Sequence, residues 1–273
     1  MKAERDSFSG IRRCAVLGSP IEHSLSPNLH RAAYSHLGLN WTYDRIEVDQ
    51  KALASFVRGL DASWRGLSLT MPLKVAVLEL GEVDQLAQLA AAGNTLILEG
   101  DSRRVYNTDI AGLTWAVRGM ASAPLQRVII LGGGATARAA LIAATELGGQ
   151  HVTVVARTPS RAEPLVTLAR ALGVELDVRP WSSRLPTADL AISTVIAGAA
   201  DSIADAVTHS APVIVDVIYH PWPTVLASTA LRSGCSVGSG RDLLVGQALL
   251  QIELMTGRSV PADVLYAALP AES

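Results

Sequence analysis

Val128-Ile129-Ile130-Leu131-Gly132-Gly133-Gly134-Ala135-Thr136-Ala137 combines four apolar residues, a glycine-rich turn and the start of an alanine-rich segment. A glycine pattern of the form G-x-G-x-x-A indicates a dinucleotide site when it follows a buried strand and opens a helix, as here. Glycines let the backbone approach a pyrophosphate, and the helix N-terminus offers N–H groups to its charge. The pattern predicts a Rossmann-type βα unit. A glycine-rich turn without a ligand is the alternative.

The end of the next predicted strand carries basic residues. Val154-Val155-Ala156-Arg157-Thr158 closes that strand, and Arg161 follows. An acidic residue here would bind the ribose 2′-hydroxyl of NAD, whereas an arginine pairs with the 2′-phosphate of NADP. No Asp or Glu lies between Thr153 and Arg161, which favours NADP. The alternative is that Arg157 is only a surface residue at a strand end.

Short β-branched runs alternate with Ala- and Leu-rich segments of helical length along the chain. This alternation predicts βαβ units with mainly parallel sheets, and therefore an α/β protein. Strands are predicted at 12–18, 42–48, 66–70, 152–155, 190–192 and 213–215. Ser26-Pro27 predicts a helix start with Ser26 as its N-cap. The breaker Ala121-Ser122-Ala123-Pro124 predicts a boundary between domains.

The composition excludes several classes of protein. Of the 273 residues, 49% are hydrophobic and 18% are charged, so the chain is not of the disordered class. At roughly 150 residues per domain, the length predicts two domains. The formal net charge of −2 disfavours nucleic acid as a partner. No apolar run is long enough for a membrane helix, so no membrane partner is expected.

Cysteine usage and the charged start point to the cytoplasm. Cys14 and Cys235 lie far apart, with no CxxC motif and no His/Cys cluster at metal-ligand spacing. The segment from Met1 to Asp6 contains four charged residues, and no apolar signal segment follows it. We therefore expect a cytoplasmic protein without a metal site.

Polar motifs follow several of the early strands. Ligands in open α/β sheets bind beyond the carboxyl ends of the strands, so these motifs are candidate substrate contacts. The candidates are Ser24, Ser26, Thr70, Lys74, Asn94 and Asp109. Each alone has an ordinary structural explanation, such as a helix cap or a surface lysine. Together, their hydroxyls, amide, ammonium and carboxylate suit a small polyhydroxylated carboxylic acid.

Taken in order, these motifs resemble those of the shikimate dehydrogenase family. The matching segments span nearly the whole chain: Gly18-Ser19-Pro20, His23-Ser24-Leu25-Ser26-Pro27, Leu69-Thr70-Met71-Pro72-Leu73-Lys74, Ala92-Gly93-Asn94-Thr95, Asn107-Thr108-Asp109-Ile110-Ala111-Gly112, Ile214-Val215-Asp216-Val217-Ile218-Tyr219, Pro221, Thr224, Gly240, Leu243-Leu244-Val245, Gln247-Ala248 and Thr256-Gly257. The resemblance implies a two-domain α/β enzyme. Residues 1–118 plus 238–273 would form a catalytic domain with a mainly parallel sheet, and 119–237 an inserted Rossmann NADP-binding domain. The implied reaction is the reversible NADPH-dependent reduction of 3-dehydroshikimate to shikimate, a step of chorismate and aromatic amino-acid biosynthesis.

The resemblance also implies roles for the matched residues. Lys74 and Asp109 would be the catalytic pair. The substrate would be bound by Ser24, Ser26, Thr70, Lys74, Asn94, Asp109, Tyr219 and Gln247, with the two serines on its carboxylate. The cofactor would be bound by Gly132, Gly133, Gly134, Ala135, Thr136, Ala156, Arg157, Thr158, Arg161, Val217 and Gly240. Hydride delivery to a ketone leaves an alkoxide, which a lysine beside the carbonyl can protonate. The nicotinamide carries the redox step, so no metal is required.

The chain departs from the family pattern at a few positions. The glycine loop commonly reads Gly-Ala-Gly-Gly-Ala, whereas Gly133 and Ala135 stand here. Ala156 replaces an Asn and removes one side-chain partner for the adenosine ribose or phosphate. Ser239 and Leu243 replace an Asp and a Met near the closing motif.

Two other functions are alternatives, and the residues present argue against both. One is a quinate/shikimate dehydrogenase using NAD, which the resemblance associates with a Thr in place of Ser26 and an acidic residue in place of Arg157. The other is a non-catalytic NADP-binding paralogue, which would be expected to lose Lys74 or Asp109. The expected assembly is a monomer or a homodimer.

Overall fold

The computed structural model describes residues 11–120 and 124–271. Their contacts divide the chain into two compact units. The first unit contains 11–88, 92–106 and 251–269 of the described residues, and the second contains 89–91, 107–120, 124–250 and 270–271. The predicted domain boundaries at 118/119 and 237/238 concern which residues bind substrate or cofactor, and they stay a prediction.

The secondary structure alternates between strands and helices, as the sequence predicts. In chain order the elements are β1 Arg12–Gly18, α1 Ser26–His36, β2 Trp41–Glu47, α2 Leu53–Arg58, β3 Trp64–Leu69, β4 Glu82–Val83, α3 Gln85–Ala90, β5 Thr95–Glu99, β6 Ser102–Tyr106, α4 Asp109–Arg118, β7 Arg127–Leu131, α5 Ala135–Glu146, β8 His151–Ala156, α6 Glu163–Leu172, β9 Glu175–Pro180, β10 Leu190–Ser193, α7 Ala204–Ser210, β11 Val213–Asp216, α8 Val225–Arg232, β12 Ser236–Gly238, α9 Gly240–Thr256 and α10 Ala262–Ala267. Short 3₁₀ helices span Ala76–Leu80, Pro159–Ala162 and Asp201–Ile203.

The first unit is built on a mixed sheet in the order β2-β1-β3-β5-β6-β4. β1 pairs in parallel with both β2 and β3. β5 and β6 are antiparallel additions, and β4 then pairs in parallel with β6. Buried residues such as Leu17, Leu67 and Leu96 form the core on one face of this sheet.

The second unit is built on a fully parallel sheet in the order β12-β11-β10-β7-β8-β9. In the order of its own strands this is 3-2-1-4-5-6 read from β9, the arrangement of dinucleotide-binding domains. Side chains of β7 alternate between two cores, with Val128 and Ile130 in one and Ile129 and Leu131 in the other. Both faces of a parallel strand are covered in this way, which explains its continuous apolar run.

The predicted α/β class and its parallel sheets are confirmed. The predicted role of Ser26 as an N-cap is wrong, because the N-cap is Leu25 and Ser26 is the first helical residue of α1. Residues 121–123 of the predicted breaker, and 1–6 of the charged start, lie outside the described residues. In the part of the chain that is described, no helix is long and apolar enough to span a membrane.

Candidate active site

The polar candidates of the first unit gather where β1 and β3 end. These neighbouring parallel strands carry their following segments beyond their carboxyl ends, which is where ligands of open α/β sheets bind. Thr70 N–H donates to the Leu17 carbonyl at 2.9 Å, and Ser19 N–H donates to the Met71 carbonyl at 3.1 Å. Gly18 has no room for a side chain, because an added Cβ would lie 3.0 Å from the Met71 carbonyl oxygen. The two strand ends are therefore held in close backbone contact.

Ser24 and Ser26 form a hydroxyl pair at the start of α1. Ser24 Oγ donates to Ser26 Oγ at 3.3 Å, and Ser26 N–H lies 3.4 Å from Ser24 Oγ. Arg45 Nε donates to the Ser24 carbonyl at 2.7 Å and ties the turn to β2. Ser26 is buried and Ser24 is half-buried, so both hydroxyls are held in place beside the strand ends.

Lys74 follows β3 on a short turn. Leu73 N–H donates to the Thr70 carbonyl at 2.8 Å, and the Leu73 side chain is fully buried. The carbonyl of Lys74 accepts from Gly93 N–H at 2.7 Å, which joins the turn to the segment before β5. The Lys74 side chain is half-buried. A buried leucine and two backbone bonds thus fix the backbone on either side of this ammonium group.

Asn94 is buried beside that turn. Its carbonyl accepts from Leu69 N–H at 2.7 Å, and its N–H donates to the Tyr106 carbonyl at 2.9 Å. Its side-chain Oδ1 accepts from Thr95 Oγ1 at 2.9 Å. The structure therefore brings Ser24, Ser26, Thr70, Lys74 and Asn94 to the same edge of one sheet, and their role in substrate binding stays a prediction.

In the second unit, Asp109 and Gln247 lie on two helices in close contact. Asp109 is the first residue of α4, is buried, and its N–H donates to Asn107 Oδ1 at 3.1 Å. A Cβ on Gly112 would lie 2.7 Å from the Leu243 carbonyl and 2.9 Å from Gln247 N. The glycine thus allows α4 and α9 to approach at backbone distance. Gln247 Nε2 donates to the Leu244 carbonyl at 2.8 Å.

Tyr219 and Val217 lie on the loop between β11 and α8, which a buried carboxylate organises. Asp216 accepts from Thr224 Oγ1 at 2.7 Å and from Ile218 N–H at 3.3 Å. Burial raises the pKa of Asp216, and the bond from Thr224 opposes that change. The sequence predicts no role for Asp216, and the structure shows that its bond to Thr224, eight residues later, closes this loop.

The glycine loop lies at the carboxyl ends of β7 and β10, where the order of the parallel sheet reverses. Gly132 has φ +112°, and an added Cβ would lie 2.6 Å from Thr194 Oγ1. Gly134 is exposed, and apart from its neighbours in the chain no atom lies within 4 Å of the position that an added Cβ would take. The residues Gly133, Ala135 and Thr136 are half-buried at the start of α5. This cradle and the N–H groups of α5 fit the pyrophosphate of a dinucleotide.

Arg157 and Thr158 are exposed at the carboxyl end of β8, next to the buried Ala156. An exposed guanidinium at the second strand of such a sheet fits a 2′-phosphate. The side chain of Arg161 lies outside the described residues. Gly240 N–H donates to the Ile218 carbonyl at 3.1 Å, so its backbone packs against the segment that carries Val217. Among the described residues, no group of three His, Cys, Asp or Glu side chains could hold a metal ion.

Comparison with known proteins places the chain in a family. The family model described as the shikimate dehydrogenase substrate binding domain matches residues 16–96, and the shikimate 5'-dehydrogenase C-terminal domain matches residues 240–269. The shikimate dehydrogenase (NADP(+)) of Methanothermobacter thermautotrophicus is 34% identical over 266 residues, covering 93% of this chain and 94% of that protein. The chain belongs to the shikimate dehydrogenase family.

Solved structures of shikimate dehydrogenases share the fold. The enzyme of Mycobacterium tuberculosis is 39% identical, with a TM-score of 0.89 over 94% of this chain and 98% of that one. The enzyme of Thermus thermophilus, solved in complex with NADP(H) and shikimate, is 29% identical, with a TM-score of 0.82 over 94% of this chain and 98% of that one. The resemblance stated from the motifs is thus confirmed, and the predicted two-domain fold class with it.

Two departures from the shikimate dehydrogenase pattern have a structural explanation. Ser239 Oγ donates to Asp242 Oδ2 at 2.9 Å and accepts from Arg241 N–H at 3.2 Å, so it closes the first turn of α9. Asp242 also accepts from Ser239 N–H at 2.8 Å, which completes a reciprocal cap. Leu243 packs on Gly112 through both its backbone and its side chain. Both residues therefore support α9, the helix that carries Gln247.

Proposed function

We propose that this chain is an NADP-dependent shikimate dehydrogenase, which reversibly reduces 3-dehydroshikimate to shikimate in chorismate and aromatic amino-acid biosynthesis. The observation that carries the proposal is the cluster of Ser24, Ser26, Thr70, Lys74 and Asn94 at the ends of β1 and β3. Membership of the shikimate dehydrogenase family supports it. The enzyme is expected in the cytoplasm, as a monomer or a homodimer.

The hydroxyl pair Ser24 and Ser26 binds the substrate carboxylate in this proposal. Ser26 Oγ accepts from Ser24 and keeps its own proton for an anion. The Ser24 O–H can rotate from Ser26 Oγ to an anion while its oxygen still accepts from Ser26 N–H. The ring hydroxyls are bound by Thr70, Asn94 and Asp109, and Tyr219 and Gln247 are further proposed substrate contacts. All of these residues except Tyr219 lie within residues 1–118 and 238–273, the proposed substrate-binding part of the chain.

NADP is bound by the parallel-sheet unit. Gly132, Gly133, Gly134, Ala135 and Thr136 hold the pyrophosphate at the N-terminus of α5, and Arg157 with Thr158 holds the 2′-phosphate side of the adenosine. Arg161, Ala156, Val217 and Gly240 complete the set, all but Gly240 within the proposed cofactor domain at 119–237. The open space beside Gly134 and the exposure of Arg157 support this assignment.

Lys74 supplies the proton of the reduction. When bound, the reduced nicotinamide supplies a hydride to the ketone carbon. The C=O π electrons move to oxygen, and Lys74 Nζ donates a proton to that oxygen to form the hydroxyl. Asp109, the second member of the proposed catalytic pair, accepts a hydrogen bond from a ring hydroxyl of the substrate. In the reverse direction Lys74 accepts the hydroxyl proton.

Substitution of Lys74 tests this mechanism. Lys74→Ala and Lys74→Met should both lower kcat by about 10²–10⁴ while KM stays within a few-fold, because the lost interaction forms in the transition state. Lys51→Ala, which removes an exposed lysine near α2, is the matched control and should leave both constants unchanged. A Lys74→Ala enzyme with near-normal kcat would contradict the catalytic role.

Initial rates separate this function from its alternatives. Shikimate and quinate are each measured with NADP and with NAD, following nicotinamide absorbance. The proposal requires shikimate with NADP to be the fastest combination. Faster oxidation of quinate with NAD would identify the quinate-oxidising alternative, and no turnover with any pair would favour a non-catalytic paralogue.

A further inference from the structure

Gln251 lies at the centre of a buried hydrogen-bond network next to Asn94. The side chain is 1% exposed and lies on the last turns of α9. Its Nε2 donates to Thr95 Oγ1 at 2.8 Å and lies 3.3 Å from the Asn94 carbonyl oxygen. Its Oε1 accepts from Ser68 Oγ at 2.8 Å and from His30 Nε2 at 3.2 Å. Of these partners, Asn94 is a predicted substrate contact and Thr95 is part of the matched segment 92–95, whereas the sequence predicts no role for Ser68 and His30.

Each hydrogen bond of this network has a defined donor and a defined acceptor. A backbone carbonyl only accepts, so the end of the Gln251 amide that faces the Asn94 carbonyl must be the NH₂ end. The Oε1 end then takes the proton of Ser68, whose oxygen accepts from Tyr43 Oη at 2.6 Å. No residue of this network can exchange its donor and acceptor roles without leaving a buried donor or acceptor unsatisfied, which costs free energy.

The direction extends to the side chain of Asn94. Thr95 Oγ1 accepts from Gln251 Nε2, and among the described contacts the acceptor for its single proton is Asn94 Oδ1 at 2.9 Å. Thr95 is fully buried, so water cannot take that proton in its place. Asn94 Oδ1 is therefore held toward Thr95, and the amide nitrogen lies on the opposite side of the group.

We infer that Thr95 and Gln251 are positioning residues that set the Asn94 amide as a donor toward a substrate hydroxyl. The inference rests on the proposed role of Asn94 in substrate binding. Without the Thr95 hydroxyl, the two orientations of the Asn94 amide become closer in energy, and the flipped one presents an acceptor where the site needs a donor. Thr95 itself does not touch the substrate in this account.

Removal of the Thr95 hydroxyl tests the inference. Thr95→Val keeps the shape of the side chain, and we expect it to raise KM for shikimate about tenfold, the effect of one lost hydrogen bond. KM for NADP should stay within about twofold. Thr95→Ser retains the hydroxyl and should restore KM to within about threefold of the native value. Thr153→Val, at another buried strand threonine, is the matched control and should leave KM for shikimate unchanged.

A double-variant comparison shows whether Thr95 acts through Asn94. Thr95→Val should raise KM in the native background and have no further effect in the Asn94→Ala background, because the group it orients is already absent. An equal KM increase in both backgrounds would overturn the inference. So would a native KM in Thr95→Val while Asn94→Ala is impaired, and this outcome would leave the proposed function intact. An Asn94→Ala enzyme with native KM would instead refute the substrate role of Asn94, and the inference with it.

A second pair of variants distinguishes a loss of Asn94 orientation from a folding defect. Thr95→Ala removes the same hydroxyl with less steric demand, and Gln251→Glu replaces the donor end of the amide with an acceptor. Both should raise KM for shikimate while KM for NADP stays native, which an unfolded or misfolded chain would not show. Native KM for shikimate in both variants would overturn the inference.

Discussion

His30 is a fully buried histidine that stays neutral. It stacks on Tyr43 with ring centroids 3.9 Å apart, and its Nε2 bonds to Gln251 Oε1. Because the amide oxygen only accepts, Nε2 carries the proton, and Nδ1 can accept from Tyr34 Oη at 3.4 Å. Burial lowers the pKa of His30 to about 3, and the bond with Gln251 opposes this only in part.

This lowered pKa predicts a loss of stability in acid. Between pH 6.5 and pH 3 the unfolded chain binds a proton at His30 that the folded chain does not, so the free energy of unfolding falls as pH falls. From pH 7 to pH 5 the loss from this residue is about 2 kcal/mol. His30→Gln keeps a donor toward Gln251 but does not titrate. In urea unfolding at pH 7 and pH 5, the free energy of unfolding of the variant should therefore fall by about 2 kcal/mol less than that of the native protein. Equal acid destabilisation in both proteins would contradict the prediction.

Arg157 is predicted to determine cofactor choice. Arg157→Ala removes a charge-assisted contact to the 2′-phosphate, which NAD lacks, so KM for NADP should rise by about 10- to 100-fold. KM for NAD should stay native. Arg170→Ala, at an exposed arginine on α6, provides the control in steady-state assays with both cofactors. A parallel loss for NADP and NAD would remove Arg157 from this role.

The positions of Asp109 on α4 and Gln247 on α9 depend on the close contact between these two helices. Gly112→Ala would place a methyl 2.7 Å from the Leu243 carbonyl oxygen, so the helices must separate. We expect unfolding free energy to fall by about 1–3 kcal/mol, although alanine favours a helix over glycine by about 1 kcal/mol. We also expect kcat/KM to fall, since both helices carry proposed site residues.

Gly59→Ala is the control for this helix contact. Its added methyl would lie 3.5 Å from the Phe56 carbonyl oxygen, an ordinary contact. Thermal unfolding and kcat/KM should therefore be close to native. A Gly112→Ala enzyme as stable and active as Gly59→Ala would show that the close approach is not needed.

At the scale of the whole molecule, each of the two units has its own core. NADP should stabilise the unit that binds it, by about 2.7 kcal/mol at a hundredfold excess over Kd. Hydrogen exchange with and without NADP should therefore show added protection concentrated in β7, β8 and β10. Protection spread evenly over β1, β2 and β3 as well would contradict cofactor binding by the second unit alone.

The local features of this protein could be predicted from its sequence. The apolar run of β7, the glycine loop and the alanine-rich α5 are contiguous, and each follows from side-chain size and backbone freedom within a few residues. The same holds for the motif around Ser24 and for Thr70 to Lys74. The error at Ser26 marks the limit of such prediction. A serine before proline fits either an N-cap or the first helical position, and the conformation of Leu25 decides between them.

Strand order and the buried polar network required the tertiary structure. The antiparallel pairing of β5 with β3 depends on which sheet edge is available, not on any pattern within β5. Gln251 follows Thr95 by 156 residues and Ser68 by 183, so no local spacing connects them. Sequence alone determined which residues are proposed to bind an anion, a ribose phosphate and a hydroxylated acid. Only folding determined which way the amide of Asn94 faces, because a hydrogen bond depends on distance and direction between atoms that the chain order keeps far apart.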